Sequence, residues 1–411
     1  MIETTEFTSE FFQTNRKRLR TAFGGKAPIV LTANGLLQKS ADANYPFTQD
    51  SNFWYLCGLD EPSVVLVMDG EEDYLILPKR DPIHDVFHGE LNGERLIAIS
   101  GVDNTYPYED GWKKLSKKLK KVKHVATIQP PKSYIEVYNL YTNPAKAHLL
   151  RQIKSHNSDA TLIDMRPFLA SLRSVKQPQE LDAILDAVQI TERLYKELDK
   201  KFISATKEGD LDFSLKLFML KNAKEFAYET VMASGPHALI MHYIQNNADF
   251  SETDFLLVDM AAKSGKYSCD VTRTAVRQPS KRQRQVFDAV STLLSVAQAT
   301  ISPGKTLQEI EDEVLELMGE KLRELGMIKS ITKEALREHF PHLLTHHVGL
   351  DVHDGADYKA RLVPGMVLAV EPGIYSDKEG IGVRLENTVL VTENGVQNLT
   401  GNIALEIDRF A

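Results

Sequence analysis

The chain has 411 residues, and 49 lysines and arginines against 57 aspartates and glutamates give a formal net charge of −8, which argues against a general affinity for nucleic acid or acidic membranes. With 42% hydrophobic and 26% charged residues it reads as a globular protein of two or three domains, and two cysteines without a C-x-x-C motif exclude a disulfide framework or a thiolate zinc site. No stretch approaches the roughly 20 apolar residues of a membrane helix, and the first residues lack a signal-peptide pattern, so we expect no membrane contact and a cytoplasmic location.

Residues 1–172 are predicted to form an α/β N-terminal domain. Three short runs of β-forming residues are bounded by glycine, proline or charge, and they alternate with helical stretches. This alternation is typical of an α/β layer. The strand runs are residues 27–32, 63–68 and 73–78.

A lysine-rich segment, residues 113–123, lies inside this domain. Leu115, Leu119 and Val122 recur at i, i+4 and i+7, which predicts an amphipathic helix with lysines on its outer face. We interpret the lysines as a solvated surface. A nucleic-acid or membrane patch is the less favoured alternative.

Residues 173–411 are predicted to form a duplicated α+β domain. Two helices followed by two strand runs occur in the first half, and the same order recurs in the second half without obvious sequence identity. A pseudo-twofold packing of the halves would follow. The predicted helices are residues 178–201, 211–226, 281–300 and 306–325, and the strand runs are 255–259, 267–272, 366–370 and 383–390.

Each half carries two acidic residues on a predicted hairpin. If Ser264 and Gly265 form a two-residue turn, Asp259 and Asp270 lie directly opposite each other on one face. Their Cβ atoms would be about 5 Å apart, where like charges repel, and the neighbouring residues are apolar. A positive charge is therefore expected between the two aspartates.

The second hairpin repeats the arrangement with glutamates. Glu371 and Glu386 face each other if the turn is centred on Lys378 and Glu379. Packing the halves together would gather four carboxylates, and two divalent cations supply the compensating charge. Oxygen ligands with one imidazole favour Mn²⁺, with Zn²⁺, Co²⁺ or Fe²⁺ as alternatives. Two metals about 3.5–4 Å apart can stabilise a tetrahedral transition state, as in aminopeptidases.

The structural alternative is that each acid is salt-bridged and each histidine merely packed. Arg384 lies two residues from Glu386 on the same strand face and could neutralise one acid, but it cannot neutralise four. Thr272 shares the face of Asp270 and could donate a hydrogen bond to a metal ligand. Two opposed acidic pairs with a histidine-rich segment nearby favour the metal interpretation.

At these residues the chain resembles the aminopeptidase P and prolidase branch of the pita-bread metallopeptidases. The likeness covers essentially the whole chain. It is carried by a two-aspartate segment, a histidine segment, two glutamate segments and two stretches of the N-terminal domain, namely residues 257–274, 345–354, 364–373, 380–386, 40–58 and 162–167.

The resemblance implies a complete set of five metal ligands. By position, Asp259 binds one metal, Asp270 and Glu386 bridge both, and His346 and Glu371 bind the second. Glu371 would also handle the proton of the attacking water.

Three further histidines correspond to residues that act on the substrate. The resemblance places His242 near the tetrahedral intermediate and the leaving nitrogen, and His353 near the carbonyl oxygen in an oxyanion-stabilising role. His342 would line the pocket. Phe87, which stands where the family commonly has a tryptophan, and Asp42 are assigned to the substrate pocket.

We therefore expect a metallo-aminopeptidase that releases the first residue from peptides with proline at the second position. The alternative is an Xaa-Pro dipeptidase. Arg361 is the one arginine between Asp354 and Pro364, where many dipeptidases carry a longer arginine-containing insertion, and this favours the aminopeptidase. Creatinase-like hydrolases and inactive binding modules share the fold, but the complete ligand set argues against them. The resemblance also implies a homodimer or homotetramer.

Overall fold

The computed structural model describes residues 6–129, 139–222 and 224–408. The remaining residues of the two predicted domains, including the start of the chain, lie outside this description. The chain divides into two compact units, Glu6–Leu172 and the residues from Arg173 onward. Among the described helices, none combines the length and the apolar character that crossing a membrane would require.

The first unit is built on a six-stranded mixed sheet with the strand order β6-β5-β4-β1-β7-β8. The pairs β1–β4 and β4–β5 are antiparallel, and β5–β6, β1–β7 and β7–β8 are parallel. The elements are α1 (Ser9–Phe23), β1 (Ile29–Thr32), β2 (Gln38–Ser40), β3 (Ala43–Asn44), α2 (Ser51–Cys57), β4 (Val65–Asp69), β5 (Glu72–Ile76), α3 (Pro82–His88), α4 (Gly93–Ser100), β6 (Asn104–Tyr106), α5 (Tyr108–Leu119), β7 (His124–Thr127), α6 (Pro144–His156), β8 (Thr161–Asp164) and α7 (Arg166–Ser174). The predicted α/β layer and its three strand runs are confirmed.

The predicted lysine-rich helix is α5, and it ends three residues earlier than the periodicity implied. Leu115 and Leu119 are fully buried against the sheet, whereas Val122 follows the helix and is only partly buried. Lys114 and Lys118 form ion pairs with acids of the neighbouring strands, at 2.5 and 2.7 Å.

The first half of the second unit contains two long helices and a broken hairpin. Helix α8 begins at a proline and a capping box formed by Gln177 and Glu180. The elements are α8 (Pro178–Phe202), α9 (Glu208–Lys221), β9 (Glu225–Phe226), β10 (Val231–Ser234), a 3₁₀-helix (Gly235–Leu239), β11 (Leu256–Asp259), β12 (Ala262–Ser264), β13 (Tyr267–Ser268) and β14 (Thr272–Ala275).

The second half repeats this plan. A capping box of Thr306 and Glu309 opens α11. The elements are α10 (Lys281–Thr300), α11 (Leu307–Glu324), α12 (Lys333–His339), β15 (Thr345–His347), β16 (Val367–Val370), β17 (Gly373–Ser376), a second 3₁₀-helix (Asp377–Glu379), β18 (Ile381–Arg384), β19 (Asn387–Thr392) and β20 (Gly395–Asn398).

Strand topology confirms the predicted duplication. In the first half the sheet order is β10-β11-β14, and in the second half it is β15-β16-β19-β20. In both halves the hairpin is divided into an outer part, β11–β14 or β16–β19, and an inner part next to the turn, β12–β13 or β17–β18. A further strand, β10 or β15, pairs with the outer part, whereas the inner part is not in the same sheet as the outer part. In both hairpins the break between outer and inner parts is where the acidic residues lie.

The register of the first hairpin differs from the prediction by two residues. The turn is formed by Gly265 and Lys266, both in the left-handed region with φ of 51° and 71°, as a type I′ turn requires. Asp259 consequently pairs with Thr272 and not with Asp270. A shift of two keeps the same face, so the two aspartates still converge.

The register of the second hairpin is as predicted. Gly373 pairs with Arg384 and Val370 pairs with Asn387, so both sides of the break share the register that places Glu371 opposite Glu386. The loop is closed by the second 3₁₀-helix and by Gly380, which has a φ of 62°.

Candidate metal centre

Three of the predicted ligands form a tight buried cluster. Ligand atoms of Asp270, His346 and Glu386 all lie within 4.8 Å of one another. Nε2 of His346 is 3.4 Å from Asp270, 4.0 Å from Glu386 and 3.5 Å from Oε1 of Glu371. Strand β15 presents His346, and the two hairpin breaks present the acids.

Asp259 belongs to the same electrostatic cluster. Burial raises its pKa, and the neighbouring Asp270 raises it further, while Arg384 opposes the shift. Its Oδ1 is buried and has no hydrogen-bond partner within the part of the chain that the structure describes. One carboxylate oxygen is therefore left available for a ligand.

The acids of the second hairpin are even more perturbed. Burial raises the pKa of Glu371 and of Glu386 well above the ordinary value of 4.5, and the repulsion among the clustered acids adds to this. Burial alone would lower the pKa of His346, but its contact with Asp270 and the charge of Glu386 raise it. The cluster thus carries an excess of negative charge that a cation would relieve.

Arg384 is the cation that faces these acids, as predicted, but it neutralises Asp259. Its Nη2 donates to Asp259 at 2.6 Å, and its Nε donates to the hydroxyl of Thr272 at 3.0 Å. That hydroxyl in turn donates to Oε2 of Glu386 at 2.6 Å. The arginine therefore bonds one acid directly and orients a second through a threonine.

His342 lies beside the acids in a neutral form. Burial, with the charge of Arg384, lowers its pKa to about 3. Nδ1 is 2.9 Å from the carbonyl oxygen of Leu343, and Nε2 is 2.9 Å from the hydroxyl of Tyr375. The Nδ1–H therefore donates to that carbonyl, and the 3.4 Å approach of Nδ1 to Glu371 is not an ion pair.

His353 and His242 lie at the solvent side of the cluster. The rings of His353 and His346 pack edge to face with centroids 4.4 Å apart. Partial burial, together with the nearby His346 and His242, lowers the pKa of His353 to about 4, so this ring is a neutral N–H donor. His242 is exposed.

Sequence reasoning missed three residues of the site. Tyr228 donates to Oδ1 of Asp270 at 2.6 Å, and Thr388 both donates to and accepts from the backbone of Asp270 at 2.8 Å. Tyr375 links Arg384 to His342. Strand alternation from Glu371 could have found Tyr375, but Tyr228 lies in a loop without periodicity.

The donor set fits divalent cations. Within the described residues, four buried or half-buried carboxylates and one imidazole face one arginine, Arg384, and carboxylate oxygens with an imidazole are ligands of Mn²⁺, Zn²⁺ and related ions. The hydroxyls of Thr272 and Tyr228 supply the outer hydrogen bonds that such ligands usually need.

Phe87 and Asp42 belong to the first unit, and both side chains are exposed; 74% of Phe87 is accessible. Their assignment to a substrate pocket stays a prediction.

Solved structures similar to this chain include aminopeptidase P from Escherichia coli. The complex with the inhibitor Pro-Leu has a TM-score of 0.85 at 28% identity, covering 98% of both chains. A zinc-substituted form in complex with product has a TM-score of 0.84 at 27% identity, again covering 98% of both chains.

Relatives found by sequence agree with the structural neighbours. The Xaa-Pro aminopeptidase of Escherichia coli is 30% identical over 97% of this chain and 96% of its own length, and Xaa-Pro aminopeptidase 3 of Homo sapiens is 29% identical over 96% and 82%. The aminopeptidase P N-terminal domain model matches residues 12–127, and the model of metallopeptidase family M24 matches residues 182–393. The chain belongs to metallopeptidase family M24 and combines its pita-bread domain with an aminopeptidase P N-terminal domain.

Proposed function

We propose that the protein is a metal-dependent Xaa-Pro aminopeptidase, which hydrolyses the bond between the first residue and a following proline. The observation that carries this proposal is the convergence of Asp270, His346 and Glu386, with Glu371 and Asp259 beside them, within a chain whose relatives over nearly its full length are Xaa-Pro aminopeptidases. A neutral histidine pair beside the acids supplies groups that could contact a peptide.

Asp259, Asp270, His346, Glu371 and Glu386 would hold two divalent cations, with Mn²⁺ favoured. The bound cations would supply Lewis-acid polarisation of the peptide carbonyl and activation of water. The charge of the site supports two cations. When ionised, four carboxylates with Arg384 beside them carry an excess of negative charge that one divalent ion would not neutralise.

Glu371 is the residue suited to move a proton. Burial raises its pKa above the ordinary value of a glutamate, which makes it a stronger base for a proton of the attacking water, and it could pass that proton to the leaving nitrogen. Its Oε1 lies 3.5 Å from Nε2 of His346, and its Oε2 lies 3.4 Å from Nδ1 of His342.

The histidines would bind and orient the peptide. Neutral His353 can donate a hydrogen bond to the carbonyl oxygen as negative charge develops there. His342, fixed by Leu343 and Tyr375, forms part of the pocket wall. His242, close to His353, would contact the tetrahedral intermediate and the departing nitrogen.

The aminopeptidase is favoured over the dipeptidase by the segment after Asp354. Its one arginine, Arg361, donates to the carbonyl oxygen of Gly304 at 2.5 Å and lies 3.7 Å from Glu309. This guanidinium is therefore already engaged at the surface and is not placed to hold the carboxylate of a dipeptide.

The test compares an Xaa-Pro dipeptide, an Xaa-Pro-Xaa tripeptide and the matching tripeptide with alanine in place of proline, using protein loaded with Mn²⁺. We expect release of the first residue from the proline tripeptide, little release from the alanine tripeptide and loss of activity after chelation. Cleavage of the dipeptide alone would make the protein a dipeptidase. Full activity in a metal-free preparation would refute the metal-dependent mechanism.

We also propose a homodimer or homotetramer and a cytoplasmic location. The two cysteines, Cys57 and Cys269, are free and buried, which is consistent with a reducing compartment. Light scattering on the purified protein tests the oligomeric state, and a monomer would contradict this part of the proposal.

A further inference from the structure

Glu208, the first residue of α9, is a buried carboxylate outside the metal centre. Its side chain is fully inaccessible. Oε1 accepts from the backbone N–H of Ser234 at 2.7 Å and from its hydroxyl at 2.6 Å, and Oε2 accepts from Tyr243 and from the N–H of Ala248, both at 2.9 Å. Nδ1 of His237 lies 3.4 Å from Oε1.

All of these partners come from one segment, residues 234–248, which we call the His242 segment. Glu208 holds its two ends through Ser234 and Ala248 and its middle through Tyr243, the residue next to His242. Asn246 adds a second anchor, since it donates to Thr230 and accepts from Met232, each at 2.9 Å.

Packing and hydrogen bonds together hold the tip of the His242 segment. Ile240 and Ile244 are 54% and 56% exposed, and His242 is exposed as well, whereas Tyr243 is 3% exposed and belongs to a small buried apolar cluster. Met241 packs against the apolar core of the second half. The hydrogen bonds to Glu208, made inside the protein where they are strong, add a directional restraint on Tyr243, the residue beside His242.

The segment also lies against β18, the strand that carries Arg384. A Cβ atom at Gly382 would be 2.5 Å from the carbonyl oxygen of Ala238. Glu208 and β18 thus both restrain the backbone of the segment.

Resting on the proposed function, we propose that Glu208 is a positioning residue that acts through His242. It fixes the backbone of the His242 segment so that the imidazole meets the substrate beside His353. A buried carboxylate is costly unless donors satisfy it, and here donors of a single segment do so. The carboxylate and the fold of the segment therefore depend on each other.

The test is a double-mutant cycle of Glu208→Gln and His242→Ala, with kcat and KM measured on the Xaa-Pro-Xaa tripeptide and metal content measured for each variant. The glutamine has nearly the same shape but presents an N–H₂ group to the Ser234 or Ala248 donors. We expect Glu208→Gln to lower kcat by roughly 10-fold or more in the parent and by less than about 2-fold in the His242→Ala background. KM and metal content should change little.

Glu180→Gln is the matched control. Glu180 is 1% exposed and accepts from Tyr267 at 2.7 Å and from the N–H of Gln177 at 2.9 Å, with no contact to the His242 segment. Glu180→Gln should change kcat by the same factor in the parent and in the His242→Ala background. If Glu208→Gln folds poorly, Tyr243→Phe removes one donor alone and should show the same non-additivity with a smaller effect.

The outcomes separate this proposal from the proposed function. Equal loss from Glu208→Gln in both backgrounds, or no loss from His242→Ala, would overturn the positioning role while leaving the peptidase in place. A wild-type protein inactive on the tripeptide would refute the proposed aminopeptidase. In that case hydrogen exchange still decides: faster exchange confined to residues 234–248 in Glu208→Gln supports the positioning role, and unchanged exchange there overturns it.

Discussion

Arg384 connects more of the candidate site than any strand position would suggest. Through direct bonds to Asp259, Thr272 and Tyr375 it reaches Glu386 and His342 as well. Arg384 carries a single positive charge, so it can orient several acids without neutralising all of them. The negative charge that remains can be neutralised by a divalent cation.

Asp270→Asn should remove the predicted bridging ligand. The neutral amide keeps the size of the side chain but loses the charge beside His346, and we expect kcat to fall more than about 100-fold with reduced metal content, because even outer hydrogen-bond partners cost about 10–100-fold. Asp249→Asn, an exposed acid 3.7 Å from Lys207, is the control and should change neither value. Near-normal turnover in Asp270→Asn would remove the two-metal assignment.

The raised pKa values of Glu371 and Glu386 give a pH dependence to the metal-free protein. Their folded pKa lies above the ordinary 4.5, so the folded state binds protons more tightly than the unfolded state and loses stability as pH rises from about 4.5 through the raised pKa. Each proton taken up on folding changes the free energy of unfolding by about 1.4 kcal/mol per pH unit, or roughly 3–6 °C in Tm.

In chelated protein, raising the pH from 5 to 8 should therefore lower the Tm of the wild type relative to that of Glu371→Gln, which lacks one of these titrating acids. Added Mn²⁺ should raise Tm more at pH 8, because the ligands must be deprotonated. A metal-free Tm that rises with pH, unaffected by Glu371→Gln, would contradict this account.

Individual acids were predictable because a charged residue inside an apolar strand breaks a clear pattern. This pattern identifies the four acids Asp259, Asp270, Glu371 and Glu386. Strand alternation then places Arg384 and Thr272 on the same face as the acids. Tyr228 and Glu208 do not break such a pattern, since a loop tyrosine and the first acid of a helix are unremarkable in sequence. Their roles depend on long-range packing, which local periodicity does not contain.

At the scale of elements, the position of the turn decided whether the register of each acidic hairpin was predicted correctly. The register of the second hairpin was predicted correctly because its turn is centred on Lys378 and Glu379, as assumed, within the 3₁₀-helix Asp377–Glu379. The first was wrong by two residues because Lys266, a residue seldom found with positive φ, completes the type I′ turn with Gly265. The short β12–β13 ladder then continues the outer register without a slip.

Gly382→Ala tests the contact between β18 and the first 3₁₀-helix. Because the added Cβ would meet a backbone oxygen at 2.5 Å, one of the two elements must shift. We expect a cost of about 1–3 kcal/mol in the free energy of unfolding and a fall in kcat of roughly 10-fold or more, measured by denaturant unfolding and tripeptide assay.

Gly401→Ala is the matched control, since its nearest neighbour is a side-chain nitrogen of Asn398 at the ordinary distance of 3.5 Å. It should leave both values nearly unchanged. If Gly382→Ala behaved like this control, the strand and the 3₁₀-helix would not restrain each other.

For the whole molecule, the two compact units predict two thermal transitions. Only the unit from Arg173 onward holds the candidate ligands, so Mn²⁺ at 100 times its Kd should stabilise that unit by about 2.7 kcal/mol. In calorimetry, adding chelator should lower the Tm of one transition and leave the Tm of the other unchanged. A shift of both by the same amount would mean that the units unfold together.

The fold class and the duplication followed from the order of helices and strands, which length and periodicity convey well. The order of the six strands in the first unit could not be predicted in this way, because β1 pairs with β4 and β7, which lie far from it in the chain. Such pairings are selected by burial over the whole sheet and leave no local trace.

The division of the ligands between two hairpins has a consequence for biosynthesis. Asp259 and Asp270 are made early and Glu371 and Glu386 more than 100 residues later (371 − 270 = 101), with His346 in between. A nascent chain that has folded only its first hairpin holds two repelling acids and no complete binding site. The complete ligand set therefore forms only late in synthesis, when the second hairpin closes on the first.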